Sequence, residues 1–186
     1  QHKYYVVSII LIAFSTFSYY QGYWPNDEEN LRILSLASNT HFLEIFTKIA
    51  FWEIPQYQPL STLTLWIQYQ IFGIAPQPYI LINIFLWVLN SIMLYYFVYR
   101  FTKSGQISVL IALLFLLDYR SSDALLFIGR RNSLLALAAG QCALIVVLSA
   151  FKTYSIQRME YVGLFFLLGL ALFSDAKSAV FIGAIL

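Results

Sequence analysis

Charged side chains are scarce in this chain of 186 residues, at 11% of the total, and half of them fall in four short groups. Asp27, Glu28 and Glu29 form the first, Asp118, Arg120 and Asp123 the second, Arg130 and Arg131 the third, and Asp175 and Lys177 the fourth. A carboxylate held beside a hydroxyl can take its proton or bind a divalent metal. Arginine presents a rigid fork of donors that fits a phosphate. Together these types suit group transfer from a donor activated by phosphate, for which no ATP site is needed. No basic patch, zinc-ligand cluster or glycine-rich phosphate loop accompanies them, and a net charge of +2 gives no strong field toward nucleic acid.

The rest of the chain must position these groups, and it is apolar. Hydrophobic residues make up 60% of the sequence and the mean hydropathy is +0.72, whereas soluble domains carry about 25% charged residues. The apolar residues lie in long blocks, which predicts an all-α, polytopic transmembrane bundle forming a single domain over 1–186. Five spans are expected at Tyr4–Tyr20, Pro78–Tyr99, Gln106–Leu117, Asn132–Phe151 and Tyr161–Ser174, with a sixth beginning at Ala179. The first has no small-residue cleavage site after it and reads as a retained anchor. The chain reads as the N-terminal portion of a longer protein. Cys142 lies in an apolar run and reads as a packed thiol.

The connection from Gln21 to Gln77 is long and not simply polar. Thr40–Trp52 places Phe42, Ile45, Phe46 and Ile49 on one helical face and His41, Glu44 and Lys48 on another, a pattern for an interfacial helix. Leu60–Phe72 is apolar but too short to span, and is expected to lie at the membrane or dip into it. With the N-terminus on the cytoplasmic side, Lys and Arg divide five inside against six outside, with the inner ones concentrated in short flanks. Eight of nine acidic residues then fall outside.

All four charged groups share that outer side. The third span, Gln106–Leu117, rises only about 18 Å through a core of roughly 30 Å, which lowers its charged turn toward the bilayer. Charges at that depth pair or line a watery cavity, so a polar cavity opening to the outer leaflet is expected. Ordinary solvated turns with snorkelling arginines are the competing reading. A continuous span over Gln106–Ile128 would bury three charges, Asp118, Arg120 and Asp123, and ranks last.

The order of these segments resembles the N-terminal half of GT-C-fold glycosyltransferases, especially protein O-mannosyltransferase-like membrane proteins, some of which carry tetratricopeptide repeats. The family's acidic motif in the first outer loop is matched by Asn26-Asp27-Glu28, and its Tyr-Arg-Pro-Leu element by Tyr57-Gln58-Pro59-Leu60. Phe72, Gly73, Pro76, Tyr79 and Asn83 match the segment leading into the second span, with Asn90 at the place of a second asparagine. Asp123 and Phe127-Ile128-Gly129-Arg130-Arg131 match a Glu-containing turn and a Trp-Ile-Ser-Gly-Arg stretch, and Ser174 to Ala179 loosely match Ser-Lys-Glu-Ser-Ala. The chain has Gln58 for the family's arginine, Ile80 and Trp87 for two histidines, Asp118-Tyr119 for His-Pro, and Lys177 for the last acidic position.

The resemblance implies a polyprenyl-phosphate-linked sugar as donor at the outer leaflet, Asp27 as catalytic base or metal-linked carboxylate, and phosphate binding by Arg131. Glu28 competes with Asp27 as base. Asp123, Arg130, Arg131, Tyr57 and Lys177 are the substrate-binding candidates, and a divalent metal stays open. An acidic helix start before Leu31 explains Asp27 and Glu28 equally well, and Arg130 or Arg131 could pair structurally with Asp118 or Asp123. Interhelical hydrogen bonding explains Asn83 and Asn90. The alternative function is a non-catalytic accessory subunit of a larger membrane complex. The expected partners are therefore membrane lipids, the lipid-linked sugar and that complex, with no nucleic acid.

Overall fold

A computed structural model describes residues 2–20, 27–47, 57–118, 126–153 and 158–185, and every regular element among them is helical. The helices are α1 (His2–Tyr20), α2 (Asp27–Asn39), α3 (Glu44–Thr47), α4 (Pro59–Phe72), α5 (Pro76–Thr102), α6 (Gly105–Leu117), α7 (Arg131–Thr153), α8 (Arg158–Ser174) and α9 (Ala179–Ile185). Two 3₁₀ turns, Ile128–Arg130 and Ala176–Ser178, lead into α7 and α9.

Local chemistry sets the boundaries. Pro59 opens α4 and Pro76 opens α5, where a missing N–H costs no helical bond. Between them Gly73 takes φ 57°, a left-handed conformation natural to glycine, and donates its N–H to Tyr69 O at 2.9 Å. The Tyr79 hydroxyl donates to Gly73 O at 2.6 Å, so the first turn of α5 holds the end of α4. Lys103 closes α5 in the left-handed region, and Ser104 caps α6 by accepting the Ile107 N–H at 3.4 Å.

This tight link folds α6 back along α5, while α7 runs parallel to α5. Three contacts tie the latter pair along its length. The Asn83 carboxamide oxygen accepts from Arg131 Nε at 2.8 Å, Asn90 Nδ2 donates to Leu134 O at 3.0 Å, and Arg100 Nη1 donates to Ser149 Oγ at 2.7 Å. On α1, His2 Nδ1 lies 2.6 Å from the Tyr95 hydroxyl, so α1 runs antiparallel to α5. The start of α5, the end of α6, the start of α7 and the end of α8 therefore share one end of the bundle, the polar end.

The main core joins Ile9 and Ala13 of α1, Ile84, Trp87 and Tyr95 of α5, Ala112 and Leu116 of α6 and Leu134 of α7. A smaller cluster at the polar end packs Ile33 and Leu34 of α2 on Leu65 of α4, Tyr79 and Ile128. Polarity is distributed inside out. Asn83, Asn90, Ser91, Ser108 and Gln141 are buried, while Phe85, Leu110, Leu114, Phe165 and Phe166 are all more than half exposed.

The expected spans correspond to α1, α5, α6, α7 and α8, with α9 at the start of the sixth. Among the described residues, two stretches are long and apolar enough to cross a membrane, Pro76–Thr102 and Ile128–Ser149. His2–Ser15, Gly105–Leu117 and Tyr161–Ser174 are apolar but shorter. The interfacial helix expected over Thr40–Trp52 appears as α3 alone, Glu44–Thr47, and residues 48–52 lie outside the described set. Leu60–Phe72 is helical as α4.

Candidate functional site at the polar end of the bundle

The polar end is built around the first turn of α7. Arg131 opens that helix and is fully buried. Its Nε donates to Asn83 Oδ1 at 2.8 Å and its Nη2 to Tyr79 O at 3.1 Å, both on α5. Its Nη1 donates to Gln68 Oε1 on α4. The guanidinium carbon stands 6.0 Å from the Tyr79 ring centroid, within cation–π range. An unpaired buried charge is costly unless dipoles surround it, and here three oxygens and a ring supply them. Arginine suits this role because one planar group reaches several acceptors and is weakly hydrated.

Asp175, the residue between α8 and the second 3₁₀ turn, is also buried. Its Oδ1 accepts the Lys177 backbone N–H at 3.0 Å, and its Oδ2 accepts from Asn132 Nδ2 at 3.3 Å and Ser133 Oγ at 3.1 Å. Those two donors sit in the first turn of α7, whose positive dipole end favours an anion. Among the described residues the polar end thus holds one buried cation and one buried anion, each satisfied by neutral groups.

Asn30 on α2 makes the third connection. It is fully buried, donates through Nδ2 to Leu126 O at 3.2 Å, and accepts the Ile128 N–H through Oδ1 at 3.2 Å. A carboxamide has one donor group and one acceptor, and both here engage the backbone entering the first 3₁₀ turn. This clamp brings the acidic start of the first connection to the Phe127–Arg131 stretch, two segments nearly a hundred residues apart.

Asp27 is the first residue of α2, and its side chain lies outside the described set. Glu28 is exposed one residue later. Asp123 also lies outside the described residues. Arg130 and Lys177 are exposed on the two 3₁₀ turns. Tyr57 is exposed, but its hydroxyl donates to Phe46 O at 2.9 Å and its ring meets Phe173 at 6.3 Å. Asp118 caps the end of α6 and is exposed. Among the described residues no carboxylate pairs with Arg131, and no group of three His, Cys, Asp or Glu could hold a metal ion.

Asn83 and Asn90 serve helix–helix hydrogen bonds, in keeping with the simpler reading of their spacing. Asn30 and Gln68 were not singled out from the sequence. Each left a signal: Asn30 shares a helical face with Ile33, Leu34 and Ala37, and Gln68 stands in a segment with no charged residue. A second feature lies alongside the polar end. An apolar groove of about 360 Å³ runs between α1 and α5, lined by residues including Ile10, Phe14, Leu81, Phe85 and Ile92. The chain matches no family model, no curated protein and no solved structure.

Proposed function

We propose that the chain is a multi-pass membrane domain of GT-C type, with its N-terminus in the cytoplasm, that transfers a sugar from a polyprenyl-phosphate donor at the outer leaflet. The observation that carries this reading is the Asn30 clamp, which sets the acidic start of α2 against the arginine-bearing turn before α7. The large exposed apolar surface supports membrane embedding, because lipid solvates it, and the buried Asn83 and Asn90 make hydrogen bonds between helices as buried polar groups in a bilayer do.

In this reading Asp27 takes the proton of the acceptor hydroxyl as its oxygen bonds to the sugar's anomeric carbon. The bond from that carbon to the phosphate oxygen breaks, and polyprenyl phosphate leaves with the electron pair. Arg130 and Lys177, exposed on the two 3₁₀ turns, receive the phosphate, and the prenyl tail lies in the apolar groove between α1 and α5. In this reading Arg131, buried among Gln68, Asn83 and Tyr79, supports the site rather than touching the phosphate. The test is transfer from a radiolabelled polyprenyl-phosphate sugar by the protein in proteoliposomes. Asp27→Ala should abolish transfer without changing thermal stability, and unchanged turnover would overturn the assignment.

The same arginine favours a second reading. A guanidinium fully enclosed by neutral side chains is structural equipment, which suits a non-catalytic subunit within a larger membrane complex. That reading expects stable co-purification with membrane partners and no transfer from any polyprenyl-phosphate sugar.

A further inference from the structure

Two helices of the same connection, packed on one another through Ile33, Leu34, Leu65 and Tyr69, have opposite polarity. On α2 the buried residues include Ile33, Leu34 and Ala37, and the exposed ones include Glu28, Glu29, Arg32, Ser35 and Ser38; Leu31 is the one exposed apolar residue. This is the pattern of a helix facing water. On α4 the buried residues include Ser61 and Gln68, and the exposed ones are Ile67, Gln70, Ile71 and Phe72; Gln70 is the one exposed polar residue. Ile74, just beyond, is 65% exposed.

We propose that the boundary between water and the outer lipid leaflet runs between α2 and α4, with α4 embedded in lipid as a half-helix and α2 standing in water. This rests on the multi-pass reading above and adds the depth of the first connection. Three observations favour lipid over a protein partner as the occupant of the α4 face. No charged residue occurs from Pro59 to Phe72, whereas a protein-binding face keeps a polar rim. Most of the polar groups that lipid would strand are satisfied within the protein, with Ser61 Oγ and the exposed Gln70 among the exceptions on α4. Thr62 and Thr64 donate to Gln58 O and Ser61 O, the Trp66 indole N–H to Thr40 O at 3.1 Å, and Gln68 Nε2 to Pro78 O at 3.3 Å. Gln68 Oε1 accepts from Arg131, so the polar face of α4 is fastened to the bundle by a buried cation. Unsatisfied polar groups are what a bilayer core excludes.

Length agrees with partial insertion. A helix of 14 residues is about 21 Å long against a hydrocarbon core of roughly 30 Å, and both its ends stay at the polar end, Tyr57 against Phe173 and Gly73 held by Tyr79, so α4 enters the leaflet without crossing it. The apolar surface continues onto the preceding turn, where Phe42 and Leu43 are exposed and the Phe42 ring lies 5.7 Å from that of Trp66.

The test is spin-label accessibility in phosphatidylcholine–phosphatidylglycerol vesicles, using single cysteines in a Cys142→Ala background. Ser35→Cys reports on α2, Ile67→Cys and Ile71→Cys on α4, and Phe85→Cys on the middle of α5. Labels at 67, 71 and 85 should collide preferentially with oxygen, and the label at 35 should collide several-fold more with a water-soluble nickel chelate. Nickel accessibility at 67 and 71 equal to that at 35, with 85 still in lipid, would overturn the placement of α4 and leave the multi-pass reading intact. A label at 35 that is shielded like 71 would also overturn the boundary. Nickel accessibility at 85 would overturn both readings.

Discussion

Arg131 and Asp175 bear opposite charges, lie buried at the same end of the bundle, and do not pair with each other. Arg131 turns toward α4 and α5, whereas Asp175 reaches the two residues that follow Arg131 in α7, Asn132 and Ser133. Each charge is thereby spent on joining segments: the cation links α4, α5 and α7, and the anion links the end of α8 to the start of α7. A direct ion pair would have satisfied both groups and tied together fewer elements.

Replacing Arg131 should therefore loosen α4 more than any other helix. Arg131→Ala strips donors from Asn83, Gln68 and the Tyr79 carbonyl and should cost about 3 kcal/mol or more. Arg131→Met roughly keeps the volume and should cost less, and Arg131→Lys should also destabilise because one compact ammonium cannot reach the acceptors that Nε, Nη1 and Nη2 engage separately. Thermal unfolding in nanodiscs orders the variants. Hydrogen exchange should rise in Pro59–Phe72 before it rises in α7.

Asn30→Ala should free α2 from the turn before α7. Losing two hydrogen bonds to buried backbone groups should cost roughly 1–3 kcal/mol. Faster exchange confined to Asp27–Asn39 and residues 126–130 is the expected outcome. Uniform loosening of the bundle would count against a local clamp.

Asp175→Ala should leave Asn132, Ser133 and the Lys177 N–H without their acceptor and destabilise by roughly 2 kcal/mol. Asp175→Asn keeps one of the two acceptor oxygens and turns the other into a donor, so it should recover only part of the loss. Equal losses in the two variants, read from thermal unfolding, would show that a single acceptor oxygen contributes nothing there.

Gly140 on α7 leaves room for the Phe181 ring of α9. A Cβ built at Gly140 would come within 2.3 Å of Phe181 Cδ2 and 2.6 Å of its Cγ. Gly140→Ala should therefore push the whole ring away and undock α9. Adding Phe181→Ala should recover part of the loss, with a double-mutant coupling of about 1 kcal/mol in thermal unfolding.

Much of the helical framework was legible because apolar blocks and prolines mark helices without reference to tertiary contacts. Pro59 and Pro76 mark the starts of α4 and α5, and Gly73 stands between them. Burial was harder to read. Arg131 suggested a ligand for phosphate because charge in an apolar chain invites function, but its satisfaction by Gln68 and Asn83 depends on a helix crossing that no local pattern encodes. Asn30 was hidden for a similar reason. Its partners are backbone groups of Leu126 and Ile128, and backbone groups leave no trace in residue identity.

The two arginines joining α5 and α7 work in reciprocal directions. Arg131 of α7 grips α5 near its start, and Arg100 of α5 grips Ser149 and the Ile145 carbonyl of α7 near its end. Sliding one helix along the other would break both grips together. The pair behaves as a splint, so a push delivered at the polar end tilts the two helices as one lever and reaches the opposite end of the bundle undiminished by slippage.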